Sequence, residues 1–104
     1  MKVQRDTAAF ERYRQEHARC LGMAVEELRT DKSLTRSEVA KRANVSVLWI
    51  RKLETNQLHT NYTIRRLDQV ARALGIELYD LYKRVGEMMG PPPWLNTGGM
   101  QNDE

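Results

Sequence analysis

Cysteine, histidine and long apolar runs are scarce in this chain, and each shortage excludes a class of protein. Cys20 is the only cysteine, so no disulfide can link two parts of the chain. The two histidines, His17 and His59, leave too few ligands for a zinc site of ordinary composition. His17 and Cys20 lie one helical turn apart and could share a metal ion with a second chain, although burial is the commoner role of a lone thiol. We therefore expect neither a metal nor a cofactor.

Segments that would direct the chain to or through a membrane are also missing. No stretch approaches the roughly 18 consecutive apolar residues that cross a bilayer. The opening residues, MKVQRDTAAF, lack the apolar core of a secretory signal. We expect a cytoplasmic protein without membrane contact. Because the sequence has neither a glycine-rich phosphate loop nor a nucleophile and base at a recognisable spacing, we do not expect an enzyme.

Basic charge is concentrated in the middle of the sequence. The length of 104 residues and the hydrophobic content of 40% fit a single globular domain with one modest core. Between residues 28 and 75, ten basic residues stand against four acidic ones, which gives +6 (10 − 4) in a chain of net charge +3. Such a segment is typical of a nucleic-acid binder, although many basic surfaces are only solvated.

A short helix is predicted to begin after Thr35. Thr35 followed by Glu38 is typical of a capping box, in which the hydroxyl accepts from the backbone N–H of residue 38 and the carboxylate accepts from that of residue 35. The next apolar residues fall on one side of that helix. They are Val39, Ala40 and Ala43.

A tight turn and a second short helix follow. Asn44 tolerates a left-handed backbone, Val45 fills the bend, and Ser46 caps the new helix. Ile50 and Leu53 are predicted to face inward. The outward and flanking positions are taken by Val47, Leu48, Trp49, Arg51 and Lys52. Two helices joined in this way form a helix-turn-helix.

At these residues the chain resembles the helix-turn-helix family of phage repressors, Cro proteins and related bacterial transcription regulators. The family pattern is matched by Thr35, Val39-Ala40, Asn44, Val45-Ser46, Ile50 and Glu54. The run NYTIRRLDQVARALGIELYDLY, residues 61–82, is similar to the family's fourth and fifth helices. The resemblance implies an all-α, five-helix repressor-like domain at residues 20–88, here with an N-terminal helical extension at residues 1–19 and an extended, proline-containing, largely flexible tail at residues 89–104.

The resemblance also implies binding of double-stranded DNA through the second helix of the motif. The residues carried over to base contacts are Val47, Leu48, Arg51 and Lys52, with Trp49 at the rim. Phosphate contacts are expected at the start of the first motif helix, from Arg36 and Ser37, because N–H groups and the helix dipole attract anions there. Further candidates in the connector after the motif are Asn56, Thr60, Asn61 and Tyr62. Arg29 and Glu54 match a structural ion pair of the family. Arg51 or Lys52 would donate to guanine, whereas Val47 and Leu48 would pack on thymine methyl groups. The alternative for Trp49 is packing in the core or against a subunit.

The first thirty residues are predicted to be largely helical. Phe10, Tyr13, His17 and Leu21 recur on one helical face. We favour packing of this face on the core over pairing with another subunit. Gly22 is interpreted as a bend or break between an added helix and the first helix of the family.

Two further helices are predicted after the motif. Thr63 caps the first of them, which ends at Gly75, and a frayed start is expected after Glu77 because the family favours a serine or threonine there. The core stripe of the first is predicted to be Ile64, Leu67, Val70, Ala71 and Leu74. The second helix and the tail carry more apolar residues than a monomer needs, which indicates a homodimer surface. Its predicted members are Tyr79, Tyr82, Val85, Met88, Met89 and Trp94.

Together these features predict a dimeric repressor of a palindromic operator. Trp94 docks on its own or the partner subunit, or is incidental in a disordered end. Two other functions stay open. One is an antitoxin that represses its own operon and also binds a toxin as a second protein partner. The other is an interaction module in which Val47, Leu48 and Trp49 bind another regulator.

Overall fold

Five α-helices make up the fold. The computed structural model describes residues 7–92, so the predicted contact of Trp94 lies outside the described residues. The helices are α1 (Thr7–Asp31), α2 (Arg36–Ala43), α3 (Val47–Glu54), α4 (Ile64–Ala73) and α5 (Leu78–Met89). Residues 7–92 contain no strand, and the all-α prediction is confirmed. Within the same range, no helix has both the length and the apolar character needed to cross a bilayer.

The predicted break at Gly22 is wrong, because α1 runs without interruption for 25 residues. Gly22 is buried, and a Cβ atom built on it would lie 2.3 Å from the backbone oxygen of Leu53 in α3. A side chain at this position would therefore hold the two helices apart. The glycine permits the close approach of α1 to the end of α3. The predicted domain boundary between residues 19 and 20 falls inside this helix.

The caps of the motif helices follow the local sequence. The Thr35 hydroxyl accepts from the N–H of Glu38 at 3.0 Å, and the Glu38 carboxylate accepts from the N–H of Thr35 at 2.8 Å, which confirms the capping box. These bonds hold the pKa of Glu38 below its usual value, with the bond from the Thr35 N–H as the largest cause. Asn44 ends α2 with φ of 60°, and the Ser46 hydroxyl accepts from the N–H of Trp49 at 3.0 Å.

The remaining helices close over the motif. Thr63 caps α4, and Gly75 follows its end with φ of +79°, as predicted. The prediction that Ile64 lies in the core is wrong, since it is 69% exposed at the first position of α4 and inward packing begins one turn later at Leu67. At the start of α5, the Asp80 carboxylate accepts from the N–H of Glu77 at 3.0 Å, so this end is capped and not frayed.

One core joins all five helices. Its largest fully buried side chains come from every helix. They are Leu21, Val25, Val39, Ile50, Leu67, Val70, Leu74, Leu81 and Val85. The assignment of Val85 to a dimer surface is wrong, because its side chain is wholly buried in the protomer's own core and is not available to a partner. The other described residues of that predicted surface differ, since Tyr82, Met88 and Met89 are half-buried against the core and Tyr79 is 72% exposed.

The first turns of α1 lie against α5 and the connector between α3 and α4. The His17 and Tyr82 rings have centroids 5.7 Å apart, and Leu21 is fully buried. Arg14 donates from Nη2 to the Thr60 hydroxyl at 3.1 Å. His17 and Leu21 therefore pack within the subunit, as predicted for this face of α1. Phe10, at the start of the same face, is 39% exposed.

Candidate nucleic-acid interface

The helix α3 separates cleanly into a buried and an exposed face. Ile50 and Leu53 are buried, and they anchor the helix in the core. On the opposite face Val47 is 48% exposed and Leu48 is 46% exposed, with Arg51 also exposed one turn later. This arrangement follows from helical spacing, because residues three or four apart share a face. The exposed face of α3 is therefore partly apolar and partly basic.

Positive charge on this face is not neutralised by neighbouring carboxylates. Within residues 7–92 neither Arg51 nor Lys52 takes part in a salt bridge. By contrast, Arg72 at the far end of α4 pairs with Asp68 at 3.0 Å. The exposed Arg51 and the half-buried Lys52 are therefore both available to an anionic partner.

The position of α3 is fixed by a buried carboxylate at its end. The Glu54 side chain is 0% exposed and accepts from Nε of Arg29 at 2.7 Å and from Nη2 of the same arginine at 2.9 Å. Arg29 also donates from Nη1 to the backbone oxygen of Leu34 at 2.9 Å. The hydrogen bonds with Glu54 raise the pKa of Arg29, so the guanidinium stays charged despite partial burial. This bidentate pair joins α1 to α3 at the site predicted for it.

Arg36 is a third member of this cluster, which the sequence did not suggest. Its Nε donates to Oε1 of Glu54 at 2.8 Å, and its side chain is 31% exposed. Two arginines thus share one carboxylate, so the cluster of Arg29, Arg36 and Glu54 carries one positive charge in excess. The residue predicted to contact phosphate therefore also links α2 to α3. Ser37, its neighbour, is exposed in the first turn of α2.

The other predicted phosphate contacts lie in the connector and differ in exposure. Asn61 is exposed, whereas Tyr62 is half-buried against the core, and burial raises the pKa of its hydroxyl. Thr60 is half-buried and accepts from Arg14 of α1. Asn56 adopts the predicted left-handed geometry with φ of 59°, and its buried side-chain oxygen has no hydrogen-bond partner among residues 7–92. Of the four predicted phosphate contacts in the connector, Asn61 is therefore the most accessible to DNA.

Trp49 occupies the border between the two faces of α3. It is half-buried and packs against the core, and the guanidinium carbon of Arg66 lies over its ring, 5.2 Å from the centroid. Arg66 belongs to the first turn of α4, where its N–H donates to the Thr63 hydroxyl at 3.1 Å. Sequence reasoning missed Arg66, because no local pattern shows that its side chain reaches from α4 to a ring on α3.

His17 and Cys20 do not form a metal site with other residues of the described range. No group of three or more potential metal ligands occurs among residues 7–92. Cys20 is buried, and its Sγ lies 3.7 Å from Oε2 of Glu16. Burial raises the pKa of its thiol, which is typical of a structural cysteine.

Comparison with known proteins places this geometry in a family. The helix-turn-helix family model matches residues 25–81, more than half of the chain. A search of curated proteins finds no match. Among solved structures, the chain is similar to the crystal structure of the clp gene regulator ClgR from C. glutamicum, with a TM-score of 0.63 and 27% identity. The alignment covers 70% of this chain and 92% of the ClgR chain.

Proposed function

Because the chain belongs to the helix-turn-helix family of DNA-binding transcription regulators, we propose that it represses transcription by binding a palindromic operator as a homodimer. The observation that carries the proposal is the exposed face of α3. It combines the exposed Arg51 and the half-buried Lys52, neither of which has a carboxylate partner in residues 7–92, with two exposed apolar side chains. The major groove offers a matching set of acceptors and methyl groups.

In this proposal α3 enters the major groove with its first turn leading. Arg51 or Lys52 donates to O6 and N7 of guanine, the geometry that long basic side chains favour. Val47 and Leu48 pack on thymine methyl groups, which offsets the cost of exposing them in the free protein. The half-site would accordingly contain both guanine and thymine.

The start of α2 would hold the DNA backbone. Exposed N–H groups and the helix dipole attract an anion at this end. Ser37 is exposed there, and Arg36 brings the charge left over from its cluster with Glu54. Asn61 would add a contact from the connector, with Asn56, Thr60 and Tyr62 contributing less because they are half-buried. These contacts would set the orientation of α3 and not the sequence preference.

A homodimer would supply the second half-site. Tyr79 is 72% exposed on α5, and Met88 and Met89 of the same helix are half-buried. Large apolar side chains that the protomer leaves uncovered or only partly covered on one helix are suitable members of a subunit contact. To occupy half-sites one turn of DNA apart, the two copies of α3 in such a dimer would have to lie about 34 Å apart.

Removal of the two cations of α3 tests the proposal. Arg51→Ala together with Lys52→Ala should abolish preferential binding to a selected operator, since a bidentate bond from a basic side chain to guanine supplies about 1 to 3 kcal/mol of discrimination. The matched control is Arg12→Ala together with Arg19→Ala, which removes the same charge from the exposed surface of α1. Fluorescence anisotropy with labelled duplexes measures both variants.

The exposure of Val47 and Leu48 favours one competing function, a surface that binds another protein. Under that alternative the Arg51 and Lys52 double variant keeps its activity, whereas Val47→Ser with Leu48→Ser loses it. If the first double variant binds the operator as tightly as the unmodified protein, the DNA-reading role of α3 is wrong.

A further inference from the structure

We propose that Arg66 is an additional DNA-backbone contact and that the indole of Trp49 positions its guanidinium for that role. This inference rests on the proposed DNA-binding function and adds to it a residue outside the motif, together with a second role for a residue within it.

The long side chain of Arg66 links the starts of two helices. Trp49 is the third residue of α3, and Arg66 is the third residue of α4. Each has its backbone N–H bound by the cap of its own helix, Trp49 by Ser46 and Arg66 by Thr63. The guanidinium carbon of Arg66 lies 5.2 Å from the centre of the indole, within the range of a cation–π contact. The Arg66 guanidinium is therefore held beside the first turn of α3.

No carboxylate in residues 7–92 competes for this guanidinium. Asp68, two positions further along α4, is bound to Arg72 at 3.0 Å, and the described ion pairs do not include Arg66. Its charge is thus available to a phosphate. A contact with an aromatic face engages the plane of the guanidinium and leaves its in-plane N–H groups free to donate.

A phosphate is a better partner for Arg66 than a base edge. The groove admits one helix, and in the proposed complex that helix is α3. Arg66 belongs to α4, and its guanidinium lies at the side of the first turn of α3. In the proposed complex this guanidinium would face the wall of the groove. That wall is the sugar–phosphate backbone, where arginine contacts set register and affinity.

The Trp49 ring supports the Arg66 side chain before DNA binds. This matters because an unsupported arginine loses side-chain entropy when it binds a phosphate. Trp49 is half-buried and packed against the core, so the ring is itself fixed. An arginine already held over that ring loses less freedom on contact with a phosphate. We expect the cation–π contact to contribute about two- to five-fold to the affinity for DNA.

Salt dependence of binding to a random-sequence duplex of about three helical turns separates this role from a structural one. Arg66→Gln should lower the slope of log K against log salt by about 1 and weaken binding to all sequences alike. Arg12→Gln is the matched control, since it removes the same charge from an exposed position of α1 that has no salt bridge within residues 7–92, and its slope should equal that of the unmodified protein. Thermal unfolding of both variants confirms that they fold.

Trp49 is tested through its coupling to Arg66. Trp49→Leu keeps an apolar side chain on the core but removes the ring, and it should weaken binding by about two- to five-fold when Arg66 is present. In the Arg66→Gln background the same change should have less effect, because the residue it positions is gone. Arg66→Lys, which keeps the charge without the planar group, should restore the slope and only part of the affinity.

The outcomes distinguish the inference from the function it rests on. If the unmodified protein binds no duplex, the proposed function and the inference both fail. If the unmodified protein binds and Arg66→Gln retains its slope, the inference alone is overturned. Strictly additive effects of Trp49→Leu and Arg66→Gln overturn the positioning role of the ring, and a reduction in affinity confined to one operator sequence overturns the assignment to phosphate.

Discussion

Glu54→Gln should cost the protein a large part of its stability. The substitution keeps the size of the side chain but removes the negative charge that lies between Arg29 and Arg36. The Glu54 side chain is 0% exposed and that of Arg29 is 11% exposed, so the charge left on Arg29 cannot be fully solvated. Breaking a buried ion pair in this way costs about 3 to 5 kcal/mol.

The two arginines should contribute unequally. Arg29 makes two of the three hydrogen bonds to Glu54 and is nearly buried, whereas Arg36 makes one and is 31% exposed. Solvent screening reduces the value of the exposed partner, so Arg36→Gln should cost about 1 kcal/mol or less. Arg29→Gln should fall between Arg36→Gln and Glu54→Gln, because the buried carboxylate would keep one partner.

Urea unfolding followed by circular dichroism measures these differences. For a domain of this size, a decrease of about 3 kcal/mol in the free energy of unfolding should lower the midpoint by about 1 to 3 M urea. Glu87→Gln, a substitution of the same kind at an exposed position of α5, is the control and should leave the midpoint unchanged. A decrease below about 1 kcal/mol for Glu54→Gln, or equal decreases for Arg29→Gln and Arg36→Gln, would refute the reasoning.

Two further predictions concern α1. Gly22→Ala should destabilise the protein by at least about 2 kcal/mol and weaken DNA binding, because the new Cβ would lie 2.3 Å from the Leu53 backbone oxygen. The control is Gly86→Ala in α5, where the new Cβ would meet no atom of the described residues within 4 Å. That substitution should stabilise the protein by about 0.5 to 1 kcal/mol. The free energy of unfolding should decline as pH falls below about 6.5, since burial lowers the pKa of His17 and the unfolded state then binds the proton more readily. His17→Gln should remove that part of the pH dependence, and His59→Gln, on the connector, should retain it; pH-dependent urea titrations check both variants.

Features set by neighbouring residues could be predicted from the sequence. The capping box of Thr35 and Glu38, the left-handed Asn44 and the Ser46 cap each depend on residues within one helical turn. The inward direction of Ile50 follows in the same way from helical periodicity. These local rules are enough to locate the motif and its exposed face.

Features that depend on how helices meet could not be predicted in this way. A glycine within a helical pattern suggests a break when only its neighbours in sequence are considered. The actual reason for Gly22 is its close approach to the backbone of Leu53, which lies 31 positions away (53 − 22) and is invisible to local sequence. Arg36 joins the Glu54 cluster, and Arg66 reaches Trp49, through packing of different helices. Val85 is assigned wrongly to an interface because its helical face is apolar, and apolar periodicity does not distinguish a core from a subunit contact.

Selection of binding sites from random duplexes tests most directly whether α3 reads a palindromic operator. We expect an inverted repeat whose half-sites are centred about one helical turn apart and contain both guanine and thymine. Replacing the selected thymines with uracil should then weaken binding, because uracil has no methyl group for Val47 and Leu48 to pack against. Recovery of no preferred sequence, or of an unrepeated site bound by a monomer, would contradict the proposed function.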